Sequence, residues 1–139
     1  MSDSSAIDNA LIAKLGADAT LLSYMTNGVY WDEAPQGSTK FVIVSMVDQI
    51  DEPQFQGRAY EDALYLVKAV ALSTVGANIQ AAAARIDALL EDQTLTVSGY
   101  THIVMHRESR VRLTEVDDVD ASIRWFHRGG HYRVQQSIP

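Results

Sequence analysis

The apolar positions between Val75 and Glu91 recur at steps of three and four residues. This spacing gathers side chains on one face of an α-helix. The members of the face are Ile79, Ala82, Ala83, Ile86, Leu89 and Leu90. Alanines at 81 to 84 permit close packing, because an alanine side chain loses almost no entropy when it is ordered. The pattern predicts a helix over 75–91 that docks tightly on a sheet.

Two predicted strands flank this helix. Ala63–Leu72 is apolar on both alternating faces except for Lys68, which is typical of a strand buried on most of two sides. Thr94–Val97 alternates after the helix. Residues 61–100 therefore form a predicted strand–helix–strand unit around which the rest of the chain is arranged.

The N-terminal third predicts two short helices. Ser5 suits the cap of a helix that runs to about Leu15 and stops at Gly16. Its apolar face contains Ala6, Ile7, Ala10, Leu11 and Leu15. Asp18 suits the cap of a second helix through Tyr24, closed by the turn-forming pair at 27–28. We expect both helices to pack on the sheet.

A loop and a long strand follow. Residues 29–31 look extended, 32–39 have loop composition, and Lys40–Val47 is rich in β-branched residues. Asp48–Arg58 is too polar for a core element and too long for a tight hairpin, so it is predicted to be a long, protruding loop. Phe55 in this segment is either an anchor tucked back on the core or a group offered to a partner.

The remainder predicts an antiparallel meander. Its predicted strands are 94–97, 101–107, 111–116, 121–127 and 132–134, with turns at Ser98-Gly99, at the acidic segment 117–120 and at Arg128–His131. The fold class that follows is α+β. We expect a single domain over residues 1–139, an antiparallel β-sheet with one long helix and one or two short N-terminal helices packed on it.

Composition narrows the class of protein. A chain of 139 residues has the usual size of one domain, and it contains no cysteine, which excludes disulfides and thiolate metal sites. The N-terminus lacks a basic stretch followed by an apolar core, and no apolar run reaches the roughly 18 residues of a membrane span. These features predict a soluble, unsecreted protein without a membrane partner.

The charge is unevenly distributed. The net charge is −7, yet residues 101–139 hold six of the eleven basic residues and all four histidines. Tight DNA binding normally needs a basic surface that displaces counterions from phosphate, so the overall balance argues against it. The arginine-rich C-terminal third is the local exception.

The histidines and paired acids are the candidates for catalysis. His102 and His106 would share a strand face, and His127 and His131 would flank a turn. A four-residue step along a strand separates side chains by about 13 Å, too far for two ligands of one metal ion. Acid pairs such as Glu91-Asp92 fall at predicted loops or element ends, where carboxylates are solvated. We therefore predict no enzyme activity, no metal and no cofactor.

The arginines of the C-terminal third alternate with apolar residues, which predicts a row of guanidinium groups on the outer face of the meander. They are Arg107, Arg110, Arg112, Arg124, Arg128 and Arg133. One interpretation is a nucleic-acid surface, for which Tyr132 and Phe126 would have to be exposed as stacking platforms. The other is a self-association face that meets the acidic first part of a neighbouring copy. Charge separation within one acidic chain favours the second.

The chain also resembles a known family. The segments YEDALYLVKAVALS, AAAARIDALLEDQTLTVSGY, HRESRVRLTE and IRWFHRGGHYRV, in that order, resemble the tail-completion or tail-terminator proteins of long-tailed bacteriophages and prophages. The resemblance covers roughly residues 41–134 and includes no catalytic signature. It implies an α+β subunit of a hexameric ring that caps the tail tube, ends tail growth and presents a surface for head–tail joining.

The resemblance also implies partners and a location. These are further copies of the chain, the major tail tube protein and a head-completion or neck protein, at the tail–neck junction of a virion assembled in the host cytoplasm. DNA would pass through the ring without specific binding, because an acidic lumen repels phosphate. We assign Asp48, Asp51 and Glu52 to the lumen or tube-facing rim. The expected subunit interface consists of Phe55, Arg58, Arg107, Arg110, Arg112, Arg124 and Arg128.

Two other functions stay open from the residues. One is a different ring of the neck or head-completion apparatus. The other belongs to a different class, a small ligand-binding or hydrolytic α+β domain that uses the region of the four histidines.

Overall fold

A five-stranded mixed sheet with helices on one face forms the body of the protein in a computed structural model. It describes residues 5–54, 57–97, 99–117, 119–120 and 122–137, and for residues 5, 49–54, 57–61, 75 and 76 the backbone alone is described. The elements are α1 (Ser5–Gly16), α2 (Ala19–Tyr24), β1 (Val29–Trp31), β2 (Lys40–Gln54), β3 (Gly57–Leu72), a 3₁₀ helix (Ser73–Asn78), α3 (Ile79–Leu90), β4 (Thr101–Val116) and β5 (Arg124–Ser137). The α+β class is confirmed.

The strand order is β1-β2-β3-β5-β4. The pairs β2–β3, β3–β5 and β5–β4 are antiparallel as predicted, whereas β1 runs parallel to β2. The segment between β1 and β2 carries the chain back to the same end of the sheet, so that Val29 pairs with Val42 and Trp31 with Val44. The sheet is therefore mixed and not wholly antiparallel.

The two faces of the sheet differ in what covers them. Alternate residues of β3 are fully buried against the helices, namely Ala63, Tyr65, Val67, Ala69 and Ala71. We call this side the helical face and the other side the open face. Leu64 and Leu66 on the open face are only partly buried. The prediction of a strand buried on most of two sides is thus right for one face and only partly right for the other.

The N-terminal helices follow the sequence pattern closely. Ile7, Leu11 and Leu15 of α1 are fully buried in the core, as the predicted face requires. The Asp18 carboxylate caps α2 by accepting the Leu21 N–H at 2.8 Å. The same carboxylate accepts two hydrogen bonds from the Arg85 guanidinium in α3, at 2.8 and 2.7 Å. One side chain therefore both starts α2 and ties it to α3.

Helix α3 lies across the helical face against β3, β4 and β5. Ile79, Ala82, Ile86 and Leu90 are its buried residues, which confirms most of the predicted apolar face. The α-helix begins at Ile79, later than predicted, because the six residues before it form the 3₁₀ helix. In the part of the chain that the structure describes, no helix is long and apolar enough to cross a membrane.

The predicted loop at Asp48–Arg58 is wrong. Strand β2 continues to Gln54 and pairs with β3 from Gly57 onward, with register shifts between Met46 and Asp48 and between Glu52 and Pro53. Strands pair through backbone hydrogen bonds, which do not require apolar side chains. A polar segment can therefore satisfy its peptide groups by pairing as a β-strand. Bulges accommodate the irregular positions.

The predicted strand at Thr94–Val97 is also absent. This segment is irregular, yet Leu95 and Val97 are buried. Its peptide groups bond elsewhere than in a ladder: the Leu95 N–H donates to Nδ1 of His102 at 3.3 Å. The Asp92 N–H just before it donates to the Met105 carbonyl at 2.9 Å. The segment therefore covers part of β4 without joining the sheet.

After the segment at 94–97, the C-terminal meander contains two long strands where four more were predicted. β4 runs unbroken through 101–116 and β5 through 124–137, so that Arg128–His131 is strand and not a turn. Gly129 and Gly130 are required by close packing of backbones. A Cβ at position 129 would lie 2.5 Å from Cα of Lys68, and one at 130 would lie 2.7 Å from the Ser109 carbonyl oxygen.

This packing predicts a large cost for Gly129→Ala. The clash is with backbone atoms, which cannot rotate away, so we expect the free energy of unfolding to fall by about 2–3 kcal/mol. Gly16→Ala is the matched control, because no atom lies within 4 Å of its added Cβ and alanine favours the helix end. Urea unfolding of the two variants measures the difference, and equal stability of both would contradict the account of β5.

The Asp18–Arg85 pair predicts a specific response to acid. Its hydrogen bonds with Arg85 lower the pKa of Asp18 from 3.8 to about 2. A lowered folded-state pKa contributes stability above pH 4, and that contribution is lost as the pH falls from 4 towards 2. Asp18→Asn should therefore be less stable than the native chain at pH 6, and the gap should narrow over that window in urea unfolding. A gap that stays constant with pH would show that the charge of Asp18 does not act in this way.

Candidate interaction surface

Five of the six C-terminal arginines occupy the helical face of the sheet, beside α3. Register assigns Arg107, Arg110 and Arg112 of β4 and Arg124 and Arg128 of β5 to this face. Positions 107 and 110 would fall on opposite faces of a regular strand. The register shift between Arg107 and Ser109 brings them to the same side. The predicted row of guanidinium groups is thus assembled on the face that carries the helices.

A groove of about 500 Å³ separates α3 from β4 and β5 at this place. Gln80, Ala83, Ala84 and Asp87 form its helix side. Its sheet side contains Arg107, Arg110, Val111, Arg112, Arg128, Gly129 and Tyr132. We call it the arginine groove. The groove exists because the alanines of α3 are small. The longer side chains of the sheet line its other wall.

Asp87 is the fixed point of the groove. Its Oδ1 accepts hydrogen bonds from Nη1 of Arg107 at 2.7 Å and from the Tyr132 hydroxyl at 3.0 Å. Burial, with the Asp87 carboxylate beside it, raises the pKa of Tyr132. The Arg107 N–H also donates to the Glu91 carboxylate. Arg107 therefore holds α3 on the sheet, and this structural role was not predicted.

The other three groove arginines carry charge that the described residues do not neutralise. Arg110, Arg112 and Arg128 form no hydrogen bond or ion pair with any residue that the structure describes. Arg110 and Arg112 are exposed, and Arg128 is partly buried. Three unpaired guanidinium groups around one groove favour a partner with carboxylate or phosphate groups.

The remaining residues predicted for the interface are placed as follows. Arg124 begins β5, and its Nη1 donates to the Ile123 carbonyl at 3.4 Å. Arg58 lies in β3, where its side chain is not described, and Phe55 lies outside the described residues. Their role in an interface stays a prediction.

The predicted lumen acids belong to the strand β2. Asp48 follows the β2 bulge and is exposed. Asp51 and Glu52 lie further along β2, where only the backbone is described. The arginine groove therefore lies near the β4 edge of the sheet, whereas these acids lie on β2, near the opposite edge.

The sixth arginine belongs to a polar network on the open face. Arg133 donates to Asp62 at 2.5 Å through Nη1 and to the Glu108 carboxylate through Nε. Gln135 adds a hydrogen bond to Asp62 at 3.1 Å. The Glu108 and Asp62 carboxylates raise the pKa of Arg133, and the Arg133 guanidinium lowers the pKa of Glu108. The network crosses β3, β5 and β4, so no local sequence pattern could reveal it.

The four histidines do not converge. A register shift between His102 and Val104 puts His102 on the helical face and His106 on the open face, which contradicts the predicted shared face. His102 Nδ1 lies 2.9 Å from the side-chain nitrogen of the buried Gln136, and the Ser109 hydroxyl lies 2.8 Å from Nδ1 of His131. Among the residues that the structure describes, no three metal-ligating side chains lie together in a cluster.

His127 is the most buried of the four. Its Nε2 lies 3.3 Å from the Glu115 carboxylate, but without the geometry of a hydrogen bond. Burial lowers the pKa of His127, and the neighbouring Lys68 acts in the same direction. It borders a shallow concavity of about 310 Å³ on the open face, whose floor includes Phe41, Ile43 and Val70.

The stacking platforms that a nucleic-acid surface would require are not exposed. Tyr132 is 1% exposed and its hydroxyl is held by Asp87. Phe126 is partly buried and packs against the core. Neither of these two predicted platforms is therefore available for single-stranded nucleic acid to stack on.

Two solved structures contain chains with a similar fold. A chain from the "Virion of native gene transfer agent (GTA) particle" superposes with a TM-score of 0.71, at 20% sequence identity and with 96% of each chain covered. A second solved chain, without a descriptive name, gives a TM-score of 0.59 at 14% identity, again over 96% of both chains. No protein-family model matches the sequence, and no curated protein matches it either. At these identities the likeness establishes the fold.

The contrast between paired and unpaired arginines predicts different costs of removal. Arg107→Gln should lower the free energy of unfolding by about 1–3 kcal/mol, because the Asp87 carboxylate, which also accepts the buried Tyr132 hydroxyl, loses its guanidinium partner. Arg110→Gln and Arg112→Gln should change it by less than about 0.5 kcal/mol. Thermal and urea unfolding measure all three. A cost at Arg112 as large as that at Arg107 would mean that Arg112 has a structural partner.

Proposed function

We propose that this protein is a non-enzymatic structural component of a phage-like virion. The observation that carries the proposal is the match to a chain of the gene transfer agent virion, which extends over 96% of both chains. The match therefore extends over the fold and is not limited to one shared motif. The fold alone does not fix a function, and the charged surfaces of this chain supply the second argument.

Within that class, we propose a tail-terminator ring, an assembly that uses both charged surfaces. The tail-terminator resemblance implies six copies. A closed ring needs heterologous contacts, in which one patch of each copy meets a different patch of the next. The unpaired arginines of the groove and the acids of β2 are two such patches, and they lie near opposite edges of the sheet. Complementary charge favours their contact and suppresses contact between like patches.

The proposed partners follow from this assembly. One rim of the ring binds the end of the tail tube and stops its growth, and the other rim offers a surface to a head-completion or neck protein. Those of Asp48, Asp51 and Glu52 that do not contact the arginines of the neighbouring copy face the lumen, and they let DNA pass because like charges repel. The proposal assigns no catalytic residue and no cofactor.

The test is tail-tube assembly. Tail-tube protein encoded by the same genome is polymerised with and without this protein, and tube length and tube ends are observed by electron microscopy. We expect tubes of limited length with a ring at one end, and overlong tubes in its absence. Deletion of the gene should give the same overlong tubes in infected or induced cells.

Charge variants make the test specific. Arg110→Glu with Arg112→Glu should abolish the ring at the tube end, and Arg110→Lys with Arg112→Lys should retain it, since charge and not bidentate geometry is required. Binding to isolated heads or neck complexes with no effect on tube length would instead identify a neck or head-completion ring. No association with tubes, heads or necks would refute the virion proposal.

A further inference from the structure

The outer edge of β2 is free over its second half. Strand β1 covers only Val42–Val44, and the last bond at this edge runs from the Asp32 N–H to the Val44 carbonyl at 3.1 Å. From Met46 to Gln54, β2 has β3 on one side and no other strand among the described residues on the other. Free edges of this length are templates for pairing with another strand.

The opposite edge of the sheet, formed by β4, is also free over one half. The segment after α3 covers its first part, where Asp92 bonds to the Met105 carbonyl and Glu91 accepts the Arg107 N–H. From Ser109 to Val116, β4 pairs with β5 alone among the residues that the structure describes. Each side of the sheet thus offers one open half-edge.

The exposed apolar side chains of the protein concentrate at these two half-edges. The large exposed hydrophobic residues among the described ones are Met46, Val47, Ile103, Leu113, Val116 and Val119. Met46 and Val47 belong to the free half of β2, and Leu113 and Val116 to the free half of β4. Exposed apolar groups beside unpaired strand edges mark a surface that is covered in an assembly.

The charges of the two half-edges are complementary. The sequence Met46–Gln54 contains three acidic residues and no basic one. The sequence Ser109–Val116 contains two arginines, both unpaired among the described residues, and one glutamate. The partner that fits each half-edge is therefore the other half-edge on a second copy of this chain.

We propose that neighbouring copies join through these half-edges, with Met46–Gln54 of one copy hydrogen-bonded to Ser109–Val116 of the next, so that their sheets become continuous. The inference rests on the ring of the proposed function and specifies its interface. Within one sheet β2 and β4 run in opposite directions, because three antiparallel pairings separate them. When copies are related by rotation about one axis, β2 of one copy therefore pairs antiparallel with β4 of the next.

The positions of the half-edges set the geometry of the assembly. The register across the sheet sets Met46 level with Tyr65, Tyr132 and Arg107. The free halves of β2 and β4 therefore both start near this level. From there they extend towards opposite ends of the sheet. Joining them staggers successive copies along the strands by roughly 25 Å, about eight residues. Inclined, staggered strands of this kind are the condition for closing a sheet into a barrel-like ring.

Cysteine cross-linking tests the interface directly, because the native chain has no cysteine. Val47→Cys and Leu113→Cys proteins, each alone and mixed, are treated with a short bis-maleimide, both free at high concentration and on tail tubes. We expect cross-links only in the mixture, between one protein and the other, and a ladder of covalent oligomers from the double variant. Ile103→Cys, exposed in the half of β4 outside the proposed interface, is the control and should not cross-link to Val47→Cys.

A proline variant tests whether backbone pairing is responsible. The Val42 N–H and the Val44 carbonyl both bond towards β1, so alternation directs the peptide groups of Met46 to the same outer side. Met46→Pro removes one outward N–H without removing a bond to β3, whereas Met46→Ala keeps it. Proline should reduce the cross-linked fraction about tenfold relative to alanine, equivalent to about 1.4 kcal/mol of pairing free energy. Equal thermal unfolding of the two variants ensures that the fold is intact.

The outcomes separate this inference from the proposed function. Rings at tube ends without Val47–Leu113 cross-links, or cross-links between two Val47 positions, would overturn the interface and leave the ring standing. Cross-links that Met46→Pro suppresses, in a protein without effect on tubes, would support the interface and reject the tail-terminator role. Absence of cross-links both in solution and on tubes would overturn the proposed pairing.

Discussion

Strand β5 can lie between β3 and β4 only because positions 129 and 130 have no side chain. A Cβ at 129 would lie 2.5 Å from Cα of Lys68, and one at 130 would meet the backbone of Ser109. The site of the Gly130 Cβ is also 3.3 Å from the side-chain carbons of Arg107, which cross this glycine on the way to Asp87. The same two glycines thus allow the strands to meet and give Arg107 its path to α3.

The arginine groove is a consequence of that arrangement. With Arg107 and Tyr132 both bonded to Asp87, the distance of α3 from β4 and β5 is fixed by hydrogen bonds as well as by apolar packing. The alanines at 83 and 84 then leave space that Arg110, Arg112 and Arg128 border without a partner among the described residues. A rigid frame thus presents charge that no described residue neutralises, and such a surface favours a partner of complementary charge.

Periodicity predicted the elements whose side chains face one core. The faces of α1 and α3, the cap at Asp18 and the strands around 40–47 and 63–72 all depend on neighbours within a few residues, so local spacing reveals them. The bulges of β4 depend on hydrogen bonds with β5. They reverse the parity of the strand and decide that His102 and His106 separate while Arg107 and Arg112 join. Gly129-Gly130 carried a turn signal in the sequence, and only the contact with β3 and β4 shows that it serves close approach. The sequence therefore singled out the arginines that line the groove. It did not reveal which face they occupy, or which of them are bonded within the described residues and which are not.

The two tryptophans of the chain lie on opposite faces of the sheet. Trp31 packs with the core on the helical face, 6.4 Å from the ring of Tyr65, whereas Trp125 lies on the open face, 6.2 Å from the ring of Phe41. Each indole therefore senses a different environment. The intrinsic fluorescence of the protein therefore combines one signal from the packed interior with one from the open face. Replacing either indole with phenylalanine would leave the other as an optical reporter of its own face.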